Sequence, residues 1–439
     1  MSSTGAAAAP TRPPFSHFFT KLPGKVGDGA FGAVYMVEAK EPGLELLRAR
    51  GALGAGGAPP RLIGKFPKPA FDSAEVNWKE LESERERLAQ KWGHRGIVAY
   101  IGHFPATDDL GRNVEAIVME ACLGMGDGEV PVVIGKLLKT DEDFSEVGAS
   151  KGDFWRWVAT RAAPSDACFR FIAWQLLAAT AFLHANGVAH RDLKNENFLV
   201  AGAVKASCGD VPVVKLSDFG SARQLDPEAQ AGVPPTRSGT VIRYVAGQPK
   251  WVGTAQHIAP ELLHAGIMQA HHRNAPTDPA AAAARAESED TGSVTQFNAR
   301  YSTKCDIYSL GIALFATLSY GEKPLGGQPG EDVVRIHGEI FDEEGSWLAA
   351  AARKLRTRKE KTLQGHFTTK VCAVPADTIA FILSMMSIAP EGRPTAAALL
   401  ASDYFSAIRE EARALFGDER VPEAAASGGG GGGGEAGAK

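Results

Sequence analysis

The sequence predicts an α+β chain of two lobes, strand-rich first and helix-rich second, with a ligand cleft between them. Two patterns carry this. Before residue 106, short runs such as 33–39 (AVYMVEA) and 97–104 (IVAYIGHF) read as strands around one strongly charged helical stretch, 73–91. After Pro164, the run CFRFIAWQLLAATAFLHANG carries apolar residues at helical spacing and stops at Asn186-Gly187, a pair suited to a helix C-terminus.

Composition limits what such a chain does. It has 439 residues, 44% hydrophobic and 22% charged, which is a globular balance with enough length for a sizeable core. Lysine plus arginine number 47 against 51 acidic residues, a net charge of −4. No global basic field draws it to nucleic acid or an anionic membrane, so neither is expected as a partner. The five cysteines (Cys122, Cys168, Cys208, Cys305, Cys372) lie far apart with no C-x-x-C pair, and read as buried thiols of a reducing compartment. The N-terminus lacks a secretory pattern, Ser2 does not fit myristoylation, and the apolar stretch 379–389 is too short to span a bilayer. A soluble protein of the cytoplasm or nucleus is expected. Four segments rich in Gly, Ala and Pro, 43–60, 224–248, 271–299 and 423–439, read as flexible loops, insertions or tail.

Gly27-Asp28-Gly29-Ala30-Phe31-Gly32 carries the spacing G-x-G-x-x-G, which dinucleotide folds share. A dinucleotide loop opens a helix, whereas this one runs into the strand-like Val34-Tyr35-Met36-Val37, so a hairpin lid over phosphates is the better reading. Glycines there let the backbone lie close to phosphate oxygens. Downstream come His190-Arg191-Asp192-Leu193-Lys194-Asn195-Glu196-Asn197, then Asp218-Phe219-Gly220, then Ala259-Pro260-Glu261. In this order the motifs resemble the eukaryotic protein kinase family, over roughly Phe15 to Ala407.

The resemblance implies a bilobal fold: an N-terminal antiparallel sheet lobe with one main helix over 15–121, and a hinge and larger helical lobe over 122–407. Residues 1–14 would be a disordered N-terminus, 218–261 the activation segment, and 408–439 a helix end with a disordered tail. It also implies roles. Asp192 orients the substrate hydroxyl and accepts its proton, and Lys194 offsets charge on the transferred phosphoryl group. Asn197 and Asp218 offer hard oxygens for magnesium, or manganese in its place. Gly27, Gly29 and Gly32 cover the phosphates of ATP, and Val34 and Leu199 sandwich the adenine. Met119 takes the gatekeeper place, and the backbone of Glu120 and Cys122 meets the adenine edge.

Lys65 is assigned as the ATP-anchoring lysine although its strand reads Leu62-Ile63-Gly64-Lys65. Lys68 competes, but Pro67 and Pro69 beside it suit a central strand badly. Ile63 stands where a small residue is usual, which narrows the adenine slot. The partner carboxylate comes from the charged helix: Glu84 is chosen because Leu88 lies one turn on, with Glu80 second. Leu88, Tyr100, His190 and Phe219 would stack as a regulatory spine. Asp306 resembles the buried aspartate that holds the catalytic loop, and Arg393 the partner of Glu261. The basic run 353–361 reads as a solvated helix face.

Lys194 and Thr254 match the serine/threonine branch. The function implied is that of an ATP- and magnesium-dependent serine/threonine protein kinase, with a pseudokinase scaffold as the alternative; a protein substrate and a monomer are expected. Arg191 pairs in many relatives with a phosphorylated residue. The acceptors within reach are Thr236, Ser238, Thr240 and Tyr244, and packing by Trp251 without phosphate is favoured over them.

Overall fold

The computed structural model of the chain describes residues 12–28, 32–53, 60–67, 93–122, 164–225, 241–243, 256–263, 298–319, 324, 340, 346–356, 359–361, 367–369 and 374–417. A one-turn helix α1 (Phe15–Phe18) leads into β1 (Phe19–Asp28), and β2 (Gly32–Ala39) returns antiparallel to it. Helix α2 (Glu41–Ala49) follows, then β3 (Leu62–Pro67), β4 (Tyr100–Thr107) and β5 (Asn113–Glu120). The five strands form one sheet in the order β1-β2-β3-β5-β4, antiparallel throughout. The predicted antiparallel lobe is therefore present, preceded by the short helix Phe15–Phe18. Gly32 is fixed by the β2–β3 approach: a Cβ there would lie 2.8 Å from the carbonyl oxygen of Phe66.

The stretch from Gly43, expected to be a flexible loop, is corrected by α2 over its first part. Pro42 sits in the first turn, and Leu47 is wholly buried among Phe15, Phe19, Phe66 and Phe104 on one face of the sheet. Gly43 lets the helix lie against the chain, because a Cβ would run into the Phe18 carbonyl. The Arg50 guanidinium then donates to the carbonyl of Ile101, tying the end of α2 to β4.

Helix α3 (Asp166–Ala185) begins at Ser165, whose hydroxyl accepts from the Cys168 N–H at 3.3 Å, and stops where Gly187 turns to φ 72°. By length and composition it could cross a membrane; here Phe169, Phe171, Leu176, Leu177 and Leu183 are buried in the protein core. Strand β6 (Val188–Ala189) precedes the hairpin β7 (Phe198–Ala206) and β8 (Gly209–Leu216), and pairs with β9 (Arg223–Gln224). Gln175 zips the hairpin to α3: its Nε2 donates to the Pro212 carbonyl at 3.0 Å and its Oε1 accepts from the Val214 N–H at 2.9 Å.

Two segments expected to be flexible each contain a strand. Strand β10 (Val241–Arg243) pairs antiparallel with β11 (Asn298–Arg300), joining the segment 224–248 to the chain just before Tyr301. Helix α4 (Lys304–Leu318) is buried along its whole length. Helix α5 (Ser346–Arg356) exposes Arg353 and Arg356, the solvated face expected, while 359–361 of that basic run forms β12 (Lys359–Lys361) against β13 (Phe367–Thr369). Helices α6 (Ala376–Met385), α7 (Ala396–Ala401) and α8 (Arg409–Phe416) complete the lobe. Helix α8 packs on α3 and β7, with the rings of Phe171 and Phe416 6.3 Å apart, so the helical core runs past residue 407.

Candidate active site

The site is built on the buried carboxylate of Asp306 in α4. It accepts the backbone N–H groups of His190 and Arg191, each at 2.8 Å, and lies 2.9 Å from His184 Nε2. Burial pushes this carboxyl up, but His184 and the Arg191 N–H outweigh it and hold Asp306 below the ordinary carboxylate range. Pinned by both N–H bonds, Arg191 adopts φ 66°, a left-handed conformation costly for a residue with a Cβ. Asp218, at φ 59°, is the second such residue among those described. Both strained positions fall in the motifs singled out from sequence.

His190 is buried, which depresses its pKa and keeps it neutral. Its Nε2 lies 3.1 Å from the Ser217 carbonyl, an acceptor, so Nε2 carries the proton; Nδ1 then accepts the Asp192 N–H at 3.4 Å. Its ring meets Phe219 edge-on with centroids 5.1 Å apart, the expected spine contact.

Below the cleft, Lys194 Nζ lies 2.9 Å from Asp192 Oδ2. Asn197 Nδ2 donates to the Asp192 carbonyl at 2.8 Å and to its Oδ2 at 3.0 Å. Burial lowers the pKa of Lys194, yet Asp192 beside it more than compensates, so the ammonium stays charged. Ser217 joins this cluster to the next motif: its N–H and Oγ both donate to the Asn197 carbonyl, at 2.9 and 2.8 Å. Asp218 follows, 3.5 Å from Lys65 Nζ of β3. Burial raises the Asp218 carboxyl, and Lys65 above all, with Lys194, brings it below its ordinary value. Lys65 stands opposite Val34 on β2 and Ile117 on β5, so the irregular Ile63-Gly64 sequence does not displace it from the sheet.

Val34, Ile63, Met119, Cys122 and Leu199 share one buried apolar cluster, with residues from both lobes. Ile63 is buried there, as the narrowed slot requires. Burial raises the Cys122 thiol far above the reactive range, leaving it inert. The Glu120 carboxylate turns to Lys215, at 2.6 and 2.8 Å, and takes the Ala99 N–H at 2.6 Å, a brace between the hinge strand and β8. Arg393 holds Glu261 bidentately at 2.9 and 2.8 Å with its own side chain fully buried, as expected.

Sequence reasoning missed Lys215, Ser217, His184 and Tyr301. Lys215 left a faint signal as a cation inside the apolar strand Val211–Leu216, and Ser217 as the polar residue before the Asp218 motif; His184 and Tyr301 left none. Gly29, Lys68, Glu80, Glu84, Leu88, Thr236, Ser238, Thr240, Tyr244, Trp251, Thr254 and the tail 423–439 lie outside the described residues.

Residues 138–278, which hold Asp192, Asn197, Asp218 and Glu261, match the protein kinase domain family. The matched segment is about a third of the chain, and the sheet lobe, the helical lobe and the cluster of Lys65, Asp192, Asn197 and Asp218 resemble a protein kinase domain in the same way. The chain is similar to the serine/threonine-protein kinase PKH2 of Saccharomyces cerevisiae, 35% identical over 121 residues, 26% of this chain and 10% of that protein. It is likewise similar to human 3-phosphoinositide-dependent protein kinase 1, 30% identical over 115 residues, 26% of this chain and 17% of the relative. Serine/threonine-protein kinase ppk21 of Schizosaccharomyces pombe is 32% identical over 115 residues, covering 26% of this chain and 18% of that protein. The matched part thus spans less than a quarter of each of these relatives.

Proposed function

We propose that the chain is a serine/threonine protein kinase that transfers the γ-phosphoryl group of ATP to hydroxyls of a protein substrate. The observation that carries this reading is the continuous chain of contacts from Lys194 through Asp192, Asn197 and Ser217 to Asp218 and Lys65. In it, the Asp192 carboxylate orients the attacking hydroxyl and takes its proton, held in place by the Asn197 amide. Lys194 supplies positive charge where the transferred group becomes more anionic. Lys65 anchors the nucleotide phosphates from the sheet side, and Val34, Ile63 and Leu199 exclude water around the base.

The donor set fits magnesium. Among the described residues no three His, Cys, Asp or Glu side chains gather into a cage that would hold a cation by themselves. Asn197 and Asp218 instead offer two protein oxygens near the Lys65 and Lys194 ammonium groups, which suits an ion that keeps water and takes its other ligands from phosphates. When bound, it offsets charge on the phosphate oxygens.

What supports catalysis over a pseudokinase scaffold is that Lys65, Asp192 and Asp218 are all present and that Lys65 meets Asp218. The test is thermal denaturation of purified protein with ATP, with and without magnesium. Stabilisation by ATP that requires magnesium, and is lost in Asp218→Asn, agrees with the proposal; stabilisation indifferent to chelator favours the scaffold.

A further inference from the structure

Five cysteines scattered through the sequence suggested isolated thiols, yet two of them meet. Cys168 lies in the first turn of α3 and Cys208 in the two-residue turn of the β7–β8 hairpin. The Cys168 thiol donates to the Cys208 carbonyl at 3.4 Å, and Cys168 is close enough to help push the Cys208 thiol up. Both are half-buried, whereas Cys122 and Cys305 are fully buried.

The contact is held from three sides. Cys168 and Gln175 lie seven residues apart, two turns along one face of α3, and Gln175 grips the hairpin through Pro212 and Val214. At the tip, the Ser207 N–H and Oγ both donate to the Glu411 carboxylate of α8, at 2.6 and 2.7 Å. Ser165 caps the helix at the Cys168 N–H. Neither thiol can drift far without breaking one of these contacts. The segment between them, 168 to 208, contains the whole catalytic loop.

We propose that Cys168 and Cys208 form a reversible disulfide, with hydrogen peroxide or an organic hydroperoxide as oxidant, that staples the β7–β8 hairpin to the start of α3. The Cys168 thiolate attacks a peroxide oxygen, the O–O bond breaks, and Cys168 becomes a sulfenic acid while one water (or alcohol) leaves after protonation. The Cys208 sulfur then attacks the sulfenic sulfur, the S–O bond breaks, and its proton leaves with the oxygen as water. Two thiols are oxidised and one peroxide is reduced. Burial and the neighbouring Cys168 push the Cys208 thiol up to about 12, so Cys168 makes the first attack and Cys208 resolves it.

The full chain is treated with a small excess of hydrogen peroxide, its remaining thiols are alkylated under denaturing conditions, and the unreduced digest is read by mass spectrometry. The expected result is a cross-linked pair of peptides containing Cys168 and Cys208, lighter than their sum by two hydrogens and separated by dithiothreitol, with Cys122 and Cys305 alkylated. The oxidised protein melts at a higher temperature than the reduced one, because the closed loop restricts the unfolded chain. Cys208→Ser, checked for a native melt when reduced, loses the cross-link and the shift and traps a dimedone-reactive sulfenic acid at Cys168. Recovery of Cys168 and Cys208 both alkylated, or over-oxidised without linkage, or either one linked instead to Cys372, overturns the proposal.

Discussion

The guanidinium of Arg191 lies over the ring of Tyr301, 5.6 Å from its centroid, with Nη1 3.4 Å from the phenol oxygen and Nε donating to the Ser221 carbonyl at 2.7 Å. Tyr301 is buried and directly follows β11, the strand that pairs with β10. An arginine that could clamp a phosphate is thus already engaged by an aromatic ring and a carbonyl, and the β10 segment is tied to it through backbone hydrogen bonds. The sequence pointed to phosphate-free ordering through Trp251; the structure offers Tyr301 for that task.

Phosphatase-treated protein should therefore keep most of its kinase activity, and the quadruple replacement of Thr236, Ser238, Thr240 and Tyr244 should change it little. Tyr301→Phe keeps the ring over the arginine and should cost at most a few-fold, whereas Tyr301→Ala should cost about tenfold or more. A large loss in the quadruple variant, recovered by an acidic residue at one of the four positions, would show a phosphate-gated loop.

The ion pair of Lys65 with Asp218 separates the two candidate lysines by kinetics. Lys65→Met should lower phosphotransfer by roughly 100-fold or more with a near-native melting temperature, while Lys68→Met should leave turnover close to normal. Steady-state rates of the two purified variants decide it, and the reverse ranking assigns the anchor to Lys68.

His94 makes the fold acid-sensitive. Burial pushes its pKa from 6.5 down to about 4, and its Nδ1 accepts the Gly96 N–H at 2.9 Å, a bond the protonated ring cannot accept. Between those values the unfolded chain binds more protons than the folded one, so stability is complete above pH 6.5 and falls as pH drops toward 4. The slope from this one group is at most about 1.4 kcal/mol per pH unit. His190, depressed in the same direction by burial, adds to it. Denaturant unfolding at several pH values should show this loss, and His94→Phe, though less stable at pH 7, should show a shallower dependence.

The chemistry was legible because it sits in short contiguous motifs: Asp192, Lys194 and Asn197 share one loop, and Asp218 follows just after the β7–β8 hairpin. Even Lys65 could be placed despite the unusual Ile63-Gly64 before it, since its strand register depends on alternation and not on those side chains. Contacts between distant segments were not legible. Arg191 and Tyr301, Glu120 and Lys215, and Cys168 and Cys208 are each brought together by the fold and leave no local pattern. Helix α2 was hidden differently: Pro42 and Gly43 read as loop formers, although proline suits a first helical turn and the glycine is required by the Phe18 backbone. If α2 is part of the core, Leu47→Ala should destabilise the protein by about 2–5 kcal/mol in urea unfolding. A change within a few tenths would mean that the helix is a dispensable insertion.

The most direct test of the whole account is transfer of labelled γ-phosphate from magnesium-ATP to a degenerate serine/threonine peptide library by the purified chain, with Asp192→Asn in parallel. Incorporation into serine or threonine should require magnesium and fall about 100- to 10,000-fold in Asp192→Asn, with both proteins melting alike. Absence of transfer from protein that binds magnesium-ATP, or transfer unchanged in Asp192→Asn, would contradict it.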